Sequence, residues 1–423
     1  MAIHVCDAIM GSGKSSAIIA HMNRHPDRHY IYVTPFLDEA KRVRQACPAL
    51  HFVEPSDKMP EYHFNKYNHV VQLLKDKKNI TSTHQMFRHF KDELLELIRA
   101  GQYTLVIDEA VDVFQELVLK PSDLDIVNMM GWIGRNGESA VTSETPVYQG
   151  DRFRDVFDLA RGGNFAVMSR EGDTYYWVMS RGFFTVFEDV YILTYLFPAQ
   201  TLKYYFDMNG IGFDYIGINH PADGIYEFTG ESGYIPSYVG SLGSKIHILD
   251  NKKLNEIGNR NTALSSSWFQ RRSDTGNTDM ETLRRNLRNY FIHYMDGFSA
   301  DARLWSTYKD AIGILRGKGY YNNTLVYNSK ATNAYRHKRV LAYCVNIFMK
   351  PDEKRYFLSH GVEVHEDEAA LSTMIQWIWR SAIRDGQEVW IYIPSKRMRH
   401  LLQGWIKQVE QQYKEYTMEM EVA

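Results

Sequence analysis

The segment Ala8-Ile9-Met10-Gly11-Ser12-Gly13-Lys14-Ser15 constrains this chain more than any other part of it. Two glycines allow a turn tight enough to aim several backbone N–H groups at one point. Lys14 adds an ammonium and Ser15 a hydroxyl, and together they suit the β- and γ-phosphates of a nucleoside triphosphate and its Mg²⁺. Such a loop needs a strand before it and a helix after it. Residues 3–6 are an apolar-leaning run and residues 16–22 have helical composition, so both are present. Ala8 stands where a glycine is commonest in this pattern. The ATP-binding candidates are Met10, Gly11, Ser12, Gly13, Lys14, Ser15 and Ser16, with Ser15 also a metal candidate.

A phosphate loop requires a carboxylate elsewhere to hold the metal. Asp108-Glu109-Ala110 follows the β-branched run 103–107 directly. A carboxylate leaving the C-terminal end of a parallel strand points into the crevice where such sheets bind ligands. Asp108 is the expected second Mg²⁺ ligand, and Glu109 the group that orients or deprotonates the attacking water. An adjacent Asp-Glu pair alone is an ordinary solvated loop; joined to the phosphate loop it carries weight.

Elsewhere, strand-like runs at 30–34, 80–83 and 190–194 alternate with helical stretches at 38–46 and 87–99. This is the pattern of a parallel sheet covered on both faces. Between about 112 and 188 the alternation lapses into glycine-marked loops and an expected hairpin of 175–178 with 183–186, read as an insertion. Glycine and proline are frequent from about 206 to 243. Beyond them come strand candidates at 246–249, 303–307, 324–327, 340–345 and 389–393, and helices at 283–298, 368–384 and 398–418. The expected fold is α/β, with two parallel-sheet domains in succession. Residues 1–215 form the first, with its small irregular insertion, and 216–423 the second, with a C-terminal helix.

A chain of 423 residues with 44% hydrophobic and 24% charged residues is an ordinary globular composition. The formal net charge of −2 means that any nucleic-acid surface must be a local cluster of Lys and Arg. Three scattered cysteines support neither a disulfide framework nor a zinc site. The start lacks a signal-peptide pattern, and the most apolar stretch, 177–197, is too charged to span a bilayer. These features lead to the expectation of a cytoplasmic protein, away from membranes.

The motifs and their order resemble superfamily 2 helicases and translocases, most closely those encoded by bacteriophages. Residues 8–15 look like motif I, Val33-Thr34-Pro35 with Ala40 like motif Ia, and Thr81-Ser82-Thr83-His84 like motif Ib. Asp108-Glu109-Ala110 is similar to motif II and Leu193-Thr194-Tyr195 to motif III. Residues 328–333 are a weaker likeness of motif V. Residues 376–384 resemble motif VI, although Arg384 lies eight residues after Gln376, one more than in the family pattern.

The resemblance implies two tandem RecA-like P-loop domains that close on ATP and Mg²⁺ to move along or unwind nucleic acid, with DNA preferred and RNA left open. For a phage-encoded chain it also implies the bacterial host cytoplasm. Replication or recombination proteins are the implied partners. It assigns Gln376, Arg380 and Arg384 to catalysis, with Arg384 the preferred arginine finger and Arg380 the positioner. Thr194 couples nucleotide state to strand binding. The strand contacts are Thr34, Pro35, Thr83 and His84 in the first domain, and Thr307, Lys309, Lys330 and Thr332 in the second. The runs Arg336-His337-Lys338-Arg339 and Lys396-Arg397-Met398-Arg399 add positive charge. Trp268 with Arg271 and Arg272 is either a base-stacking element or core. Two other functions remain open: a remodelling ATPase stimulated by nucleic acid without strand separation, and a non-motor P-loop nucleotide-binding protein.

Overall fold

The computed structural model describes residues 1–422 apart from 36, 63–64, 88–89, 91, 118–128, 133–140, 142–144, 151–152, 154–156, 158–164, 170–172, 181, 221–223, 231–232, 273–275 and 329–332. The chain divides into two compact units. One comprises Met1–Ala8, Gly13–Gly233 and Lys350–Val364; the other comprises Ile9–Ser12, Tyr234–Met349 and His365–Ala423. Where the sequence reading assigns 216–423 to one second domain, contacts group Lys350–Val364 with the first unit.

The first unit is built on strands β1 (Ala2–Asp7), β2 (His29–Thr34), β3 (Ile80–Thr83), β4 (Tyr103–Asp108), β8 (Asp189–Thr194) and β9 (Asp214–Tyr215). They form one sheet in the order β3-β2-β4-β8-β1-β9, and every pairing is parallel. The central strands are buried on both faces, which is why they read as continuous apolar runs rather than alternating ones. Side chains of odd and even residues go to opposite faces. Ile31, Val33, Leu105, Ile107, Val190 and Ile192 join Val70, Leu73, Leu94, Ile98, Leu202 and Phe206 in one core cluster. These partners come from helices α3 (Lys66–Lys75), α4 (Asp92–Gly101) and α5 (Thr201–Asn209). Tyr30, Tyr32, Val106, Tyr191 and Leu193 instead join Ala17, Ile18 and Met22 of α1 (Lys14–Arg24) and Val43 of α2 (Leu37–Ala46).

The insertion contains a three-stranded antiparallel sheet of β5 (Phe114–Leu117), β6 (Phe165–Ser169) and β7 (Asp173–Val178), in the order β5-β7-β6. The expected hairpin partner at 183–186 is instead a 3₁₀ turn, Phe184–Val186. Thr185 donates its backbone N–H to the Gly182 carbonyl at 3.1 Å, and Phe184 packs edge-on against Phe206 of the main core. Burying that ring outweighs strand pairing. Helix Pro351–Ser359, distant in sequence, lays Phe357 against Phe114 and Tyr204.

Two β10–β11 strands, Gly217–Asn219 and Glu227–Thr229, form a small antiparallel pair that also belongs to the first unit. The second unit carries β12 (Ile246–Ile248), β13 (Arg303–Ser306), β14 (Val340–Tyr343) and β15 (Val389–Tyr392), parallel and ordered β12-β15-β14-β13. The sequence expectation of parallel sheets in an α/β fold is met. Two local expectations are not. The strand at 324–327 reduces to a single bridge between Thr324 and Trp305. The helix expected over 368–384 runs Glu366–Ile378 and stops, because Ser381 is extended before a short 3₁₀ turn, Ala382–Asp385.

Candidate nucleotide site

Residues 8–13, the expected phosphate loop, lie between β1 and α1. Gly11 and Gly13 take φ of 77° and 94°, backbone conformations that side-chain-bearing residues rarely adopt. Gly13 is irreplaceable on a second count: a Cβ there would lie 2.2 Å from the Tyr226 ring. Helix α1 opens at Lys14, so the unsatisfied N–H groups of its first turn surround the loop. Lys14 is partly buried and donates to the Ala8 carbonyl. Desolvation lowers its pKa, against the attraction of Cys6, Asp108, Asp7 and Glu109. Ser12 is buried, whereas Ser15 and Ser16 are partly exposed.

At the end of β4, Asp108 is only 9% exposed. Burial pushes its carboxyl up to about 7, the negative charges of Glu39 and Glu109 add to this, and the Tyr32 hydrogen bond and Lys14 oppose it. Tyr32 donates its hydroxyl to Asp108 Oδ2 at 3.0 Å. Tyr32 was missed in the sequence because an aromatic inside a buried strand is indistinguishable from core; only the register of β2 on β4 reveals its role. Glu109 takes a left-handed φ of 64°. For a non-glycine residue this costs of order 1 kcal/mol or more, and such strain concentrates at functional positions.

Strand β8 ties the two halves of the site together. Its Leu193 carbonyl accepts from the Glu109 N–H at 2.9 Å, and its Thr194 carbonyl accepts from the Ala8 N–H at 3.1 Å. The Thr194 side chain is held by the Gln200 amide at 2.6 Å. The coupling candidate thus lies on a strand end bonded to both the phosphate loop and the acidic pair.

The first-unit strand candidates divide in two. Thr34 and Thr83 are register partners at the ends of β2 and β3, with Pro35 following. Thr34 is buried, and Thr83 receives the Met86 N–H on its hydroxyl at 3.3 Å. His84 is buried with Nε2 3.1 Å from the Asp108 carbonyl, against the backbone of the acidic pair.

In the second unit, Thr307 is fully buried with its hydroxyl donating to the Cys344 carbonyl at 3.4 Å, while Lys309 is exposed. Lys330 and Thr332 lie outside the described residues. Gln376 is on the helix Glu366–Ile378, Arg380 follows its end, and Arg384 is exposed in the 3₁₀ turn. The two arginines therefore do not share one helical face. Both basic runs are largely engaged in packing. Lys338 is buried against Asp301, Arg336 pairs with Asp385, and Arg339 stacks on Trp390. Arg397 pairs with Asp367, and Arg399 donates to the carbonyls of Ile393 and Pro394. Trp268 is core, with the Arg272 guanidinium 4.5 Å from its ring.

No helix among the described residues is long and apolar enough to cross a membrane. Solved structures similar to this chain include two titled XPD apo and XPD helicase, with TM-scores of 0.44 and 0.41 at 12% identity. The first covers 95% of both chains and the second 95% of this chain and 94% of its own. A third, Xpd4 of S. tokodaii, has a TM-score of 0.40 at 13% identity, covering 96% and 94%. In sequence, residues 241–406 match the YonV C-terminal Rossmann-like domain. The SPbeta prophage-derived uncharacterized protein YonV of Bacillus subtilis (strain 168) is 37% identical over 413 residues, 96% of this chain and 98% of that protein. At that identity over nearly its whole length, the chain belongs to the family of the prophage protein YonV.

Proposed function

We propose that this protein is a nucleic-acid-dependent ATP hydrolase of the superfamily 2 helicase kind, moving along or unwinding DNA in phage replication or recombination. The observation that carries the reading is the joint anchoring of phosphate loop and acidic pair on the end of β8, with Lys14 in the field of both carboxylates. The donors fit Mg²⁺, a hard cation that takes few protein oxygens and completes its shell with water and phosphate. The Ser15 hydroxyl and Asp108 carboxylate would hold it, and the buried Asp108 gains most from a neighbouring cation. When bound, the ion neutralises charge on the phosphates.

Lys14 leaves the Ala8 carbonyl for phosphate oxygens, which compensate its desolvation better than a neutral acceptor does. Glu109 orients the attacking water and accepts its proton. Gln376 and Arg380 position, and Arg384 supplies, the charge that stabilises the transferring phosphoryl group, a contribution of roughly 10³–10⁵ in rate. Thr194 relays nucleotide state along β8, and Thr34, Pro35, Thr83, His84, Lys309, Lys330 and Thr332 mark the strand path.

The test is ATP turnover of the full chain titrated with single-stranded DNA, duplex DNA and RNA, beside Lys14→Ala. Strand-stimulated turnover that disappears in the variant is the expected result. Turnover indifferent to every nucleic acid would leave a P-loop ATPase without a motor.

A further inference from the structure

The second unit contains a cavity of about 470 Å³ just past the C-terminal end of β13. Its wall includes the rings of Phe269, Tyr308 and Tyr327, and polar groups of Gln270, Lys309 and Asn328. We propose that it receives a nucleobase swung out of the bound single strand; this rests on the strand-binding reading above.

Four observations favour that occupant. The volume lies within the range of roughly 300–1,000 Å³ that accommodates small organic ligands. The position is the one where open parallel sheets bind ligands, outside the carboxyl ends of their strands. The rings are rigidly preset: Tyr308 lies 5.5 Å from Phe269 and 5.2 Å from Tyr327, edge to face in both cases, and its hydroxyl donates to the Asn346 carbonyl at 2.9 Å. Aromatic walls of this kind bind any base through its π-face, and side-chain amides complement base edges. Finally, the charge is correctly placed for a polynucleotide. Lys309 is exposed on the cavity wall and can meet a backbone phosphate while the base goes inward. The buried Thr307 cannot make that contact with its engaged hydroxyl, so the strand path in this unit runs over Lys309 and the cavity rather than along the strand end.

A pocket that takes a base predicts a preference for base-bearing over abasic strands. Binding of the full chain to a fluorescent oligothymidylate is compared with binding to a strand of the same length made of abasic sugar phosphates. The wild type should prefer the base-bearing strand about tenfold or more. Tyr327→Ala should erase most of that preference and leave abasic affinity unchanged, while Tyr327→Phe keeps it. Ile314→Trp, which fills the cavity without removing a ring, should erase it too. Lys309→Ala should weaken both strands by the same factor, and the salt dependence of binding should fall by about one charge. Equal wild-type affinity for the two strands overturns the pocket while sparing the strand reading. So does a Tyr327→Ala variant that weakens both strands alike. A wild type that binds neither strand overturns the strand reading itself.

Discussion

Tyr32→Phe isolates the electrostatics of the acidic pair without altering the packing of β2. The substitution removes one hydroxyl and nothing else from a fully buried ring. It deletes the 3.0 Å hydrogen bond to Asp108 Oδ2. A hydrogen bond to a charged acceptor contributes about 1.5–3 kcal/mol, and each 1.4 kcal/mol is about tenfold in an equilibrium. The bond favours the carboxylate over the carboxylic acid, so its loss favours protonation of a group already pushed up to about 7. Binding of Mg²⁺ with nucleotide must then displace a proton that the wild type has partly shed. At pH 7 the variant should bind Mg-nucleotide about tenfold or more weakly, and the deficit should shrink as the pH is raised toward about 9. The assay is titration of a fluorescent ADP analogue across that pH range with Mg²⁺ fixed, alongside a thermal melt. An affinity equal to wild type at every pH would refute the role given to Tyr32. An affinity reduced by the same factor at every pH would show a packing defect instead of an electrostatic one.

Glu109→Gln should retain Mg-nucleotide affinity and lose turnover, measured separately; losing both together would mean that the strained Glu109 backbone is structural rather than poised for catalysis. Gly13→Ala forces a Cβ to 2.2 Å from the Tyr226 ring at a φ of 94°, so it should abolish nucleotide binding; adding Tyr226→Ala should not restore it, because the backbone strain remains. Arg384→Ala should lower strand-stimulated turnover by roughly 10³ with little change in nucleotide affinity, and Arg380→Ala less; retention of stimulated turnover by both would reduce that turn to packing. Burial raises the Glu353 carboxyl to about 7, against the attraction of Lys350 and with Asp112 and Glu116 adding to the rise. The folded chain then holds its proton more tightly than the unfolded one, so Glu353 costs stability increasingly as pH rises from about 4.5 to 7. Glu353→Gln should therefore melt higher than wild type at pH 8, by the equivalent of about 1–3 kcal/mol, and show no such gain near pH 4; a gain independent of pH would contradict the assignment.

The sequence by itself determined the features that depend on local chain geometry. Gly11 and Gly13 announce a turn that needs positive φ, and uninterrupted apolar runs at β2, β4 and β8 announce strands buried on both faces. Asp108 was legible because a carboxylate at the end of such a run has one place to go. The sequence also holds its kinship with the prophage protein YonV, 37% identity over 96% of this chain, which is spread along the whole length and not confined to the motifs. Tertiary structure decided everything that depends on which residues meet across strands. Register placed Tyr32 on Asp108, and the order β4-β8-β1 put the Leu193 and Thr194 carbonyls between the acidic pair and the phosphate loop. It turned the basic runs into ion pairs and backbone contacts, because Lys338, Arg336 and Arg397 find carboxylates distant in sequence. It ended the Gln376 helix at Ile378, separating two arginines that periodicity puts on one face. Periodicity describes one element at a time, whereas register, charge pairing and helix ends are set by neighbours that the sequence places tens to hundreds of residues away.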